Sequence, residues 1–262
     1  MQAMPQLPEI GQHELIVFVL ALVRIGALVA VAPVFGAAAV PWRLRGGLAV
    51  ALALLVTTVE AGRITSLPDS AAGLLVVAGG EALVGLVLGL GVALLFSALQ
   101  VAGQIISQMS GMQLAEVLDP QLGGQTPVVS QLLFYLTLAV FLSIGGHRQV
   151  LEALLDSFAT LPAGQGAQPT TVAAAMTSVL ANSFVLGVRA AAPAMVALLV
   201  ATLVLGLIGR ALPQLNAFAF GFGFHAAVMF LALALSLGAT AWLLQDELGP
   251  ALETVIAALT PQ

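Results

Sequence analysis

Apolar residues in this chain form long runs, separated by short stretches that hold most of the proline and charged residues. About 20 helical residues cross a bilayer core of about 30 Å, so runs of this length predict membrane-spanning helices. Six runs meet or approach that length, at residues 14–32, 44–59, 71–108, 128–145, 171–208 and 217–244. A weaker amphipathic segment follows at residues 248–259. The pattern predicts an all-α membrane protein with about six long apolar helices in a single membrane domain, residues 1–262.

Two connections between these predicted helices differ from ordinary turns. Residues 110–126 combine several glycines with Pro120, Glu116 and Asp119. Residues 209–216 carry four polar or turn-forming residues: Arg210, Pro213, Gln214 and Asn216. With six spans, both connections share one membrane side with residues 33–43. That side holds one arginine more than the other, so the positive-inside rule favours it as cytoplasmic.

Composition supports a membrane location, because 60% of the residues are hydrophobic, only 7% are charged and the mean hydropathy is +1.10. Soluble domains carry about a quarter charged residues. The net charge is −5 and no lysine is present, which argues against a nucleic-acid binder or a polybasic lipid anchor. The absence of cysteine excludes disulfides and thiolate chemistry.

Three charged residues lie well inside the predicted spans, away from their ends, where a charge is costly. Arg24 and Glu81 lie at similar depth counted from one membrane face, so we expect them to make contact. The pair is either part of a proton or ion site or a structural ion pair, and the second interpretation is favoured because arginine does not release its proton. Arg189 precedes Pro193 by four residues, which predicts a kink. Such a kink serves either a transport site or packing.

The third run contains two further patterns. Gly85 and Gly89 form a GxxxG motif, which predicts close approach of another helix. Towards its end, uncharged polar residues recur at helical spacing: Ser97, Gln100, Gln104, Ser107 and Gln108. Lipid would leave these groups poorly hydrogen-bonded, so the polar stripe faces protein or water. Hydrogen bonds between helices and the lining of an aqueous path explain it equally well.

The sequence contains no arrangement typical of catalysis, cofactor binding or metal binding. His13, His147 and His225 are isolated from one another, with no HExxH or HxxxH spacing. No nucleophile elbow or phosphate-binding glycine loop is present. We therefore expect no catalytic residues, no cofactor and no metal, and a membrane enzyme is a remote alternative.

Short motifs in order along the chain resemble the FliR family of flagellar export-gate proteins and their counterparts in type III secretion injectisomes. The first half carries Arg24-Ile25-Gly26, Ala32-Pro33-Val34-Phe35-Gly36, Gly80-Glu81, Gln100-Val101-Ala102-Gly103-Gln104, Asp119-Pro120 and Gly145-Gly146-His147. The second half carries Ala192-Pro193 and the most specific motif, residues 210–218, which read RALPQLNAF. Each motif is weak alone, and the resemblance rests on their common order.

This resemblance implies a non-enzymatic subunit of the export gate in the bacterial inner membrane, at the flagellar basal body. It implies assembly with FliP-like and FliQ-like subunits, a FlhB-like switch protein nearby, and passage of unfolded export substrates. Residues 1–169 would be the FliP-like part and residues 170–262 a FliQ-like hairpin. The loop 111–124 would close the channel as a plug, through Gly111, Met112, Leu114, Val117, Leu118, Asp119, Pro120 and Gly123. The hairpin loop 210–216 would face the cytoplasm.

The main competing hypothesis is a small-molecule or ion transporter. It rests on Arg24, Glu81 and a broken fifth helix at Pro193. A transporter should purify by itself, whereas a gate subunit should purify with its partner subunits.

Overall fold

The computed structural model of the chain describes residues 11–36, 40–60, 70–111, 128–165, 169–211 and 217–259. Within these ranges the chain forms eight helices and no strand. They are α1 (Gln12–Val31), α2 (Pro33–Gly36), α3 (Trp42–Glu60), α4 (Ala71–Met109), α5 (Val128–Ser143), α6 (Gly146–Thr160), α7 (Pro169–Ala211) and α8 (Ala217–Leu259). The predicted all-α class is confirmed.

Membrane-spanning length is met by four helices of the described residues: α1, α3, α4 and α7. A fifth span results if α5 and α6, which are bent by 69° at their junction, are counted together. The sixth predicted span lies on α8, where the apolar segment described without interruption is Gly223–Ala234. At 1.5 Å per residue, the 39 residues of α4 extend roughly 58 Å, so an upright α4 is longer than a bilayer core.

Both ends of α4 have a local chemical cause. At the start, the Ser70 hydroxyl oxygen accepts a hydrogen bond from the Gly73 amide at 3.1 Å, which caps an amide left free in the first turn. At the end, Gly111 adopts φ +75°, and its amide donates to the Gln108 carbonyl at 3.3 Å. Left-handed backbone of this kind favours glycine, so the residue ends the helix at the point where the predicted plug begins.

The Cα positions group the chain into two compact units that are built from separate segments. The first contains the described residues of 1–92, 149–176 and 252–262. The second contains the described residues of 93–148 and 177–251. Four helices, α4, α6, α7 and α8, contribute residues to both units.

In the first unit, α4 lies close against α1. A Cβ atom at Gly85 would overlap the carbonyl oxygen of Arg24, and one at Gly89 would lie 3.1 Å from the carbonyl oxygen of Leu28. The absence of side chains at these positions lets the backbones approach, as the GxxxG motif predicted. The partner of the motif is therefore a helix of the same chain.

In the second unit, α4 is approached by α5 and by α7. A Cβ atom at Gly103 would lie 2.6 Å from the Cα of Ser130, and one at Gly187 would lie 2.6 Å from the carbonyl oxygen of Ala98. Phe96 of α4 makes edge-to-face ring contacts with Phe134 and Phe141 of α5, and these rings fill the space between the two helices. Small residues and aromatic rings thus set the spacing of these three helices.

Within the same unit, α7 and α8 contact each other through two polar pairs. Thr202 Oγ1 lies 3.0 Å from His225 Nε2. Arg189 Nη1 lies 3.7 Å from Glu247 Oε1. Thr202 is exposed and His225 half-buried, and Arg189 is 62% exposed. Exposed ion pairs contribute little to stability, so this second contact orients side chains more than it stabilises the pair of helices.

The C-terminal boundary predicted from sequence is wrong. The pattern separated a span ending at residue 244 from an amphipathic segment at 248–259, but α8 runs through both and includes Pro250. Proline removes one backbone hydrogen bond of a helix. Apolar side chains at helical spacing remain buried across that point: Leu244, Leu248, Leu252, Val255 and Leu259. Their continuous buried stripe offsets the lost bond.

Gly85→Ala tests the close approach of α4 and α1. The added methyl group must push against backbone, so we expect the free energy of unfolding to fall by about 1–3 kcal/mol. The measurement is denaturant unfolding of the purified chain in detergent, followed by circular dichroism. Gly79→Ala is the matched control, because nothing lies within 4 Å of a Cβ at that position on the same helix. Equal stability of the two variants would contradict the packing role of Gly85.

Candidate functional site

The predicted contact between Arg24 and Glu81 is confirmed and is the centre of a buried polar cluster. Arg24 is on α1 and Glu81 is on α4, and their side chains are 0% and 1% exposed. Arg24 Nε donates a hydrogen bond to Glu81 Oε2 at 2.6 Å. Charge-assisted bonds of this kind are among the stronger ones in proteins. The carboxylate thereby compensates a guanidinium that is wholly removed from solvent.

The remaining guanidinium donors of Arg24 contact the last turn of α6. Nη1 donates to the carbonyl oxygen of Ser157 at 3.0 Å and to its hydroxyl at 3.3 Å, and Nη2 donates to the carbonyl oxygen of Leu161 at 3.0 Å. Carbonyls at a helix C-terminus carry partial negative charge. The Ser157 carbonyl also accepts a hydrogen bond from the Leu161 amide at 3.0 Å, whereas the Leu161 carbonyl lies beyond the last helical residue. Arg24 therefore caps α6 from another helix.

Two further contacts complete the cluster. The ring of Phe158 lies under the guanidinium of Arg24, with 4.1 Å between Cζ and the ring centroid, which is cation–π geometry. Glu81 Oε1 accepts a hydrogen bond from the Gly164 amide at 2.8 Å. Gly164 has φ +98°, backbone that a side chain would strain, so glycine allows the turn after α6 to present its amide to the carboxylate.

These contacts decide what the cluster can do. Both carboxylate oxygens of Glu81 and all three guanidinium nitrogens of Arg24 are engaged in hydrogen bonds. Arginine stays protonated, so the pair cannot pass a proton along. In the part of the chain that the structure describes, no group of three acidic or histidine residues is placed to hold a metal ion. The geometry favours the structural interpretation, in which the ion pair fixes how α1, α4 and α6 meet.

The apolar runs predict no element for residues 147–160, so they do not reveal the partner of Arg24. These residues form most of α6. The sequence nevertheless carries the amphipathic pattern of a helix here. The residues that the structure buries recur at helical spacing: Val150, Ala153, Leu154, Ser157 and Phe158. His147, Arg148, Glu152 and Asp156 are exposed on its other face. An amphipathic helix of this length falls below the length threshold of a search for membrane spans, which explains the omission.

The polar stripe of α4 lies largely at the surface of the chain. Ser97, Gln104 and Gln108 are exposed and Gln100 is half-buried. Ser107 is buried, and its carbonyl oxygen accepts a hydrogen bond from the Ser110 hydroxyl at 3.0 Å. Lipid tails offer these uncharged polar groups no hydrogen-bond partners. That they contact another subunit or water stays a prediction.

The other predicted site residues are distributed more widely. Arg189 lies on α7, which continues through Pro193, so the predicted kink there stays a prediction. Arg210 is exposed in the last turn of α7, where a cation suits the helix dipole. Gly111 is the one plug residue within the described ranges. The other predicted plug residues and three hairpin residues lie outside them: Met112, Leu114, Val117, Leu118, Asp119, Pro120, Gly123, Pro213, Gln214 and Asn216.

The cluster predicts a strongly non-additive pair of substitutions. Arg24→Met and Glu81→Leu should each lower the free energy of unfolding by about 3–5 kcal/mol, because each leaves one buried charge uncompensated. The double variant should be less destabilised than the sum of the two. Chemical unfolding of the four proteins in detergent measures this coupling, and additive losses would contradict the pairing. Arg189→Met is the control and should change stability by less than about 1 kcal/mol.

An exchange of the two residues distinguishes simple pairing from the full cluster. Pairing alone predicts that Arg24→Glu combined with Glu81→Arg partly restores assembly. The contacts of Arg24 with the Ser157 and Leu161 carbonyls change this expectation, because a glutamate carboxylate cannot donate to them. The exchanged protein should therefore recover little of the lost stability.

Comparison with known proteins gives consistent results over most of the chain. Residues 15–250 match the family described as "Bacterial export proteins, family 1". "Flagellar biosynthetic protein FliR" of Caulobacter vibrioides is 32% identical, with 77% of this chain and 81% of that protein covered. The protein of the same name in Bacillus subtilis is also 32% identical, covering 77% and 78% of the two chains. "Yop proteins translocation protein T" of Yersinia pestis is 30% identical, covering 67% of each.

The match spans both compact units and includes Arg24, Glu81 and the end of α6. It agrees with the order of motifs from Arg24-Ile25-Gly26 to residues 210–218. The chain is therefore a member of the bacterial export protein family 1, the family of the FliR proteins.

Proposed function

We propose that this chain is a subunit of the type III protein export gate, embedded in the bacterial inner membrane and required for flagellar assembly. The match of residues 15–250 to the export family carries the proposal. The flagellar system is favoured over the injectisome because relatives named for flagellar biosynthesis reach 34% identity and cover up to 81% of their own length. The several apolar helices of the fold support a multi-pass membrane protein.

The structure gives no support to the transporter hypothesis. Its chief residues, Arg24 and Glu81, have their polar atoms engaged with α6 and the turn that follows it. Helix α7 continues through Pro193, so it is not interrupted as a transport site would require. We infer a non-enzymatic role, in line with the structural use of these charges.

Assembly with other subunits is the next part of the proposal. We infer that FliP-like and FliQ-like chains are the partners, with residues 1–169 as the FliP-like part and 170–262 as the FliQ-like hairpin. Long exposed apolar faces support such contacts, for example on α7: Leu180, Phe184, Val196, Leu199, Leu203 and Leu207. The hairpin loop would face the cytoplasm beside a FlhB-like protein, and unfolded substrates would pass through the assembly.

Deletion and purification in the native bacterium test this proposal. Cells without the chain should lack flagella and export no flagellar protein, and an affinity-tagged copy should restore both. The tagged chain should co-purify with FliP-like and FliQ-like chains, and a Gln214→Cys variant should crosslink to the FlhB-like protein. Normal flagella in the deleted strain would overturn the proposed function. Labelling of position 214 by an impermeant thiol reagent from the periplasm would overturn the orientation alone.

We further propose that residues 111–124 form the closure of the channel. Gly111 provides the left-handed backbone that a sharp turn requires, and the polar stripe of α4 leads directly to it. The loop carries mostly apolar side chains with only two charges, so it would be poorly solvated unless packed against other groups. A closed state favoured by a few kcal/mol keeps the open state rare while permitting export.

Deletion of residues 113–121 tests the closure. We expect assembly to continue, because α4 and α5 remain connected, while the membrane becomes permeable to ions and small solutes. Conductance and solute sensitivity of the cells measure the leak, beside a count of assembled complexes. Replacement of the same residues by a Gly/Ser linker of equal length is the control for chain strain and should leak as well. Normal assembly without a leak in either variant would show that this loop is not the closure.

A further inference from the structure

Helix α3 begins with a tryptophan, two arginines and a leucine at adjacent positions, Trp42-Arg43-Leu44-Arg45. Trp42 is 77% exposed and Leu44 is 65% exposed. Arg43 is also exposed, and its Cζ lies 5.7 Å from the centroid of the Trp42 ring, which is within cation–π distance. An aromatic ring, an apolar side chain and a guanidinium therefore share one exposed end of the helix.

The rest of α3 has the length and the surface of a single membrane crossing. Its 19 residues extend roughly 28 Å, which matches a hydrocarbon core of about 30 Å. It is the least buried of the four span-length helices that the structure describes. Exposed apolar side chains continue along it at Val50, Leu54, Leu55 and Val59. When this helix crosses the bilayer, Trp42 lies at one boundary of the hydrocarbon core.

The charge at this end of α3 is positive, although the chain as a whole is negative. The net charge of the chain is −5, yet no aspartate or glutamate occurs between residues 15 and 59. That stretch holds three arginines, of which Arg24 is compensated by Glu81. The other two are Arg43 and Arg45. Arg45 Nε donates to the Val40 carbonyl at 3.0 Å, which keeps the second guanidinium near the start of the helix.

This combination of side chains fits the headgroup region of an anionic phospholipid. Tryptophan is enriched at membrane–water interfaces, because its ring is apolar while its indole N–H requires a polar partner. Arginine can bind a phosphate through two parallel hydrogen bonds, and its aliphatic stem can lie along apolar surface. A soluble anion would satisfy the guanidinium but would leave the Trp42 ring and Leu44 in water. The exposed apolar side chains therefore favour a lipid phosphate over a free one.

We propose that the start of α3 lies at the membrane–water interface and binds the phosphate of an anionic phospholipid, with Arg43 as the principal donor. Two cations are too few to hold a protein at a membrane, so the apolar span provides the anchoring and the arginines select the lipid. Residues 33–43 belong to the side that the arginine count predicts to be cytoplasmic. The inference requires only that the chain spans a membrane, and it does not rest on the export-gate role.

Trp42 itself can report the lipid beside it. The chain has two tryptophans, so a Trp242→Phe variant leaves Trp42 as the only one. The full chain with this change is reconstituted in mixed bilayers in which either phosphatidylglycerol or phosphatidylcholine carries brominated acyl chains. Quenching of the Trp42 fluorescence gives the relative binding of the two lipids. We expect phosphatidylglycerol to be favoured about fivefold, the effect of one cation near an anionic membrane surface.

Substitutions at Arg43 test the donor in the same single-tryptophan chain. Arg43→Gln should lower the preference for phosphatidylglycerol to less than about twofold, because the charge nearest Trp42 is lost. Arg43→Lys should retain part of it, because the charge remains but the paired hydrogen bonds do not. Arg189→Gln removes an exposed arginine of the second compact unit and is the control, so it should leave the preference unchanged. Circular dichroism checks that each variant is folded.

Each result supports or overturns the lipid site. Equal quenching by the two lipids, or a preference that Arg43→Gln leaves intact, would overturn it. Lack of quenching by either lipid would mean that protein or water surrounds Trp42, and would overturn the interfacial position as well. Chloride at about 0.5 M should weaken the preference through screening. A stronger effect of inorganic phosphate than of chloride at equal ionic strength would show a site for soluble phosphate instead. None of these results depends on flagellar assembly, so a failure here leaves the proposed function standing.

Discussion

Removing a guanidinium from water inside an apolar protein is tolerated where each of its nitrogens finds an acceptor, and this constraint organises the first compact unit. Arg24 meets it with the carboxylate of Glu81, with carbonyls at the end of α6, and with the Phe158 ring. Glu81 in turn holds the Gly164 amide. Displacing α1, α4 or α6 would leave a buried charge or a helix end without partners, so the three helices are fixed together.

Close backbone contact is the second device that holds the helices, and it depends on residues without large side chains. Hydrophobic burial gives little drive between helices in lipid, so van der Waals packing must supply it. Helix α4 carries such contacts along its length, at Gly85 against α1 and at Gly103 against α5. Gly85 contacts the backbone carbonyl of Arg24 itself, so the packing contact and the ion pair place the same two helices at the same point.

The exposed side chains of the chain are consistent with contacts to other subunits. Exposed uncharged side chains on α4 lie beside exposed apolar side chains on α7, a mixture suited neither to water nor to lipid alone. A gate subunit has this requirement, because its faces meet lipid, neighbouring proteins and the channel. Polar groups such as Ser97 and Gln104 are exposed on α4 and lie outside the buried cluster.

Sequence patterns predict the membrane class, the bounds of the long helices to within a few residues except at the end of α8, the contact of Arg24 with Glu81 and the family. These follow from local properties, namely run length, the cost of an intramembrane charge and motif order. The patterns do not reveal α6, whose amphipathic pattern is short and weakly apolar, or the continuity of α8 through Pro250. That Arg24 caps α6 follows from the folded chain alone, because its hydrogen-bond acceptors lie 133 and 137 residues away and are chosen by packing and not by local sequence.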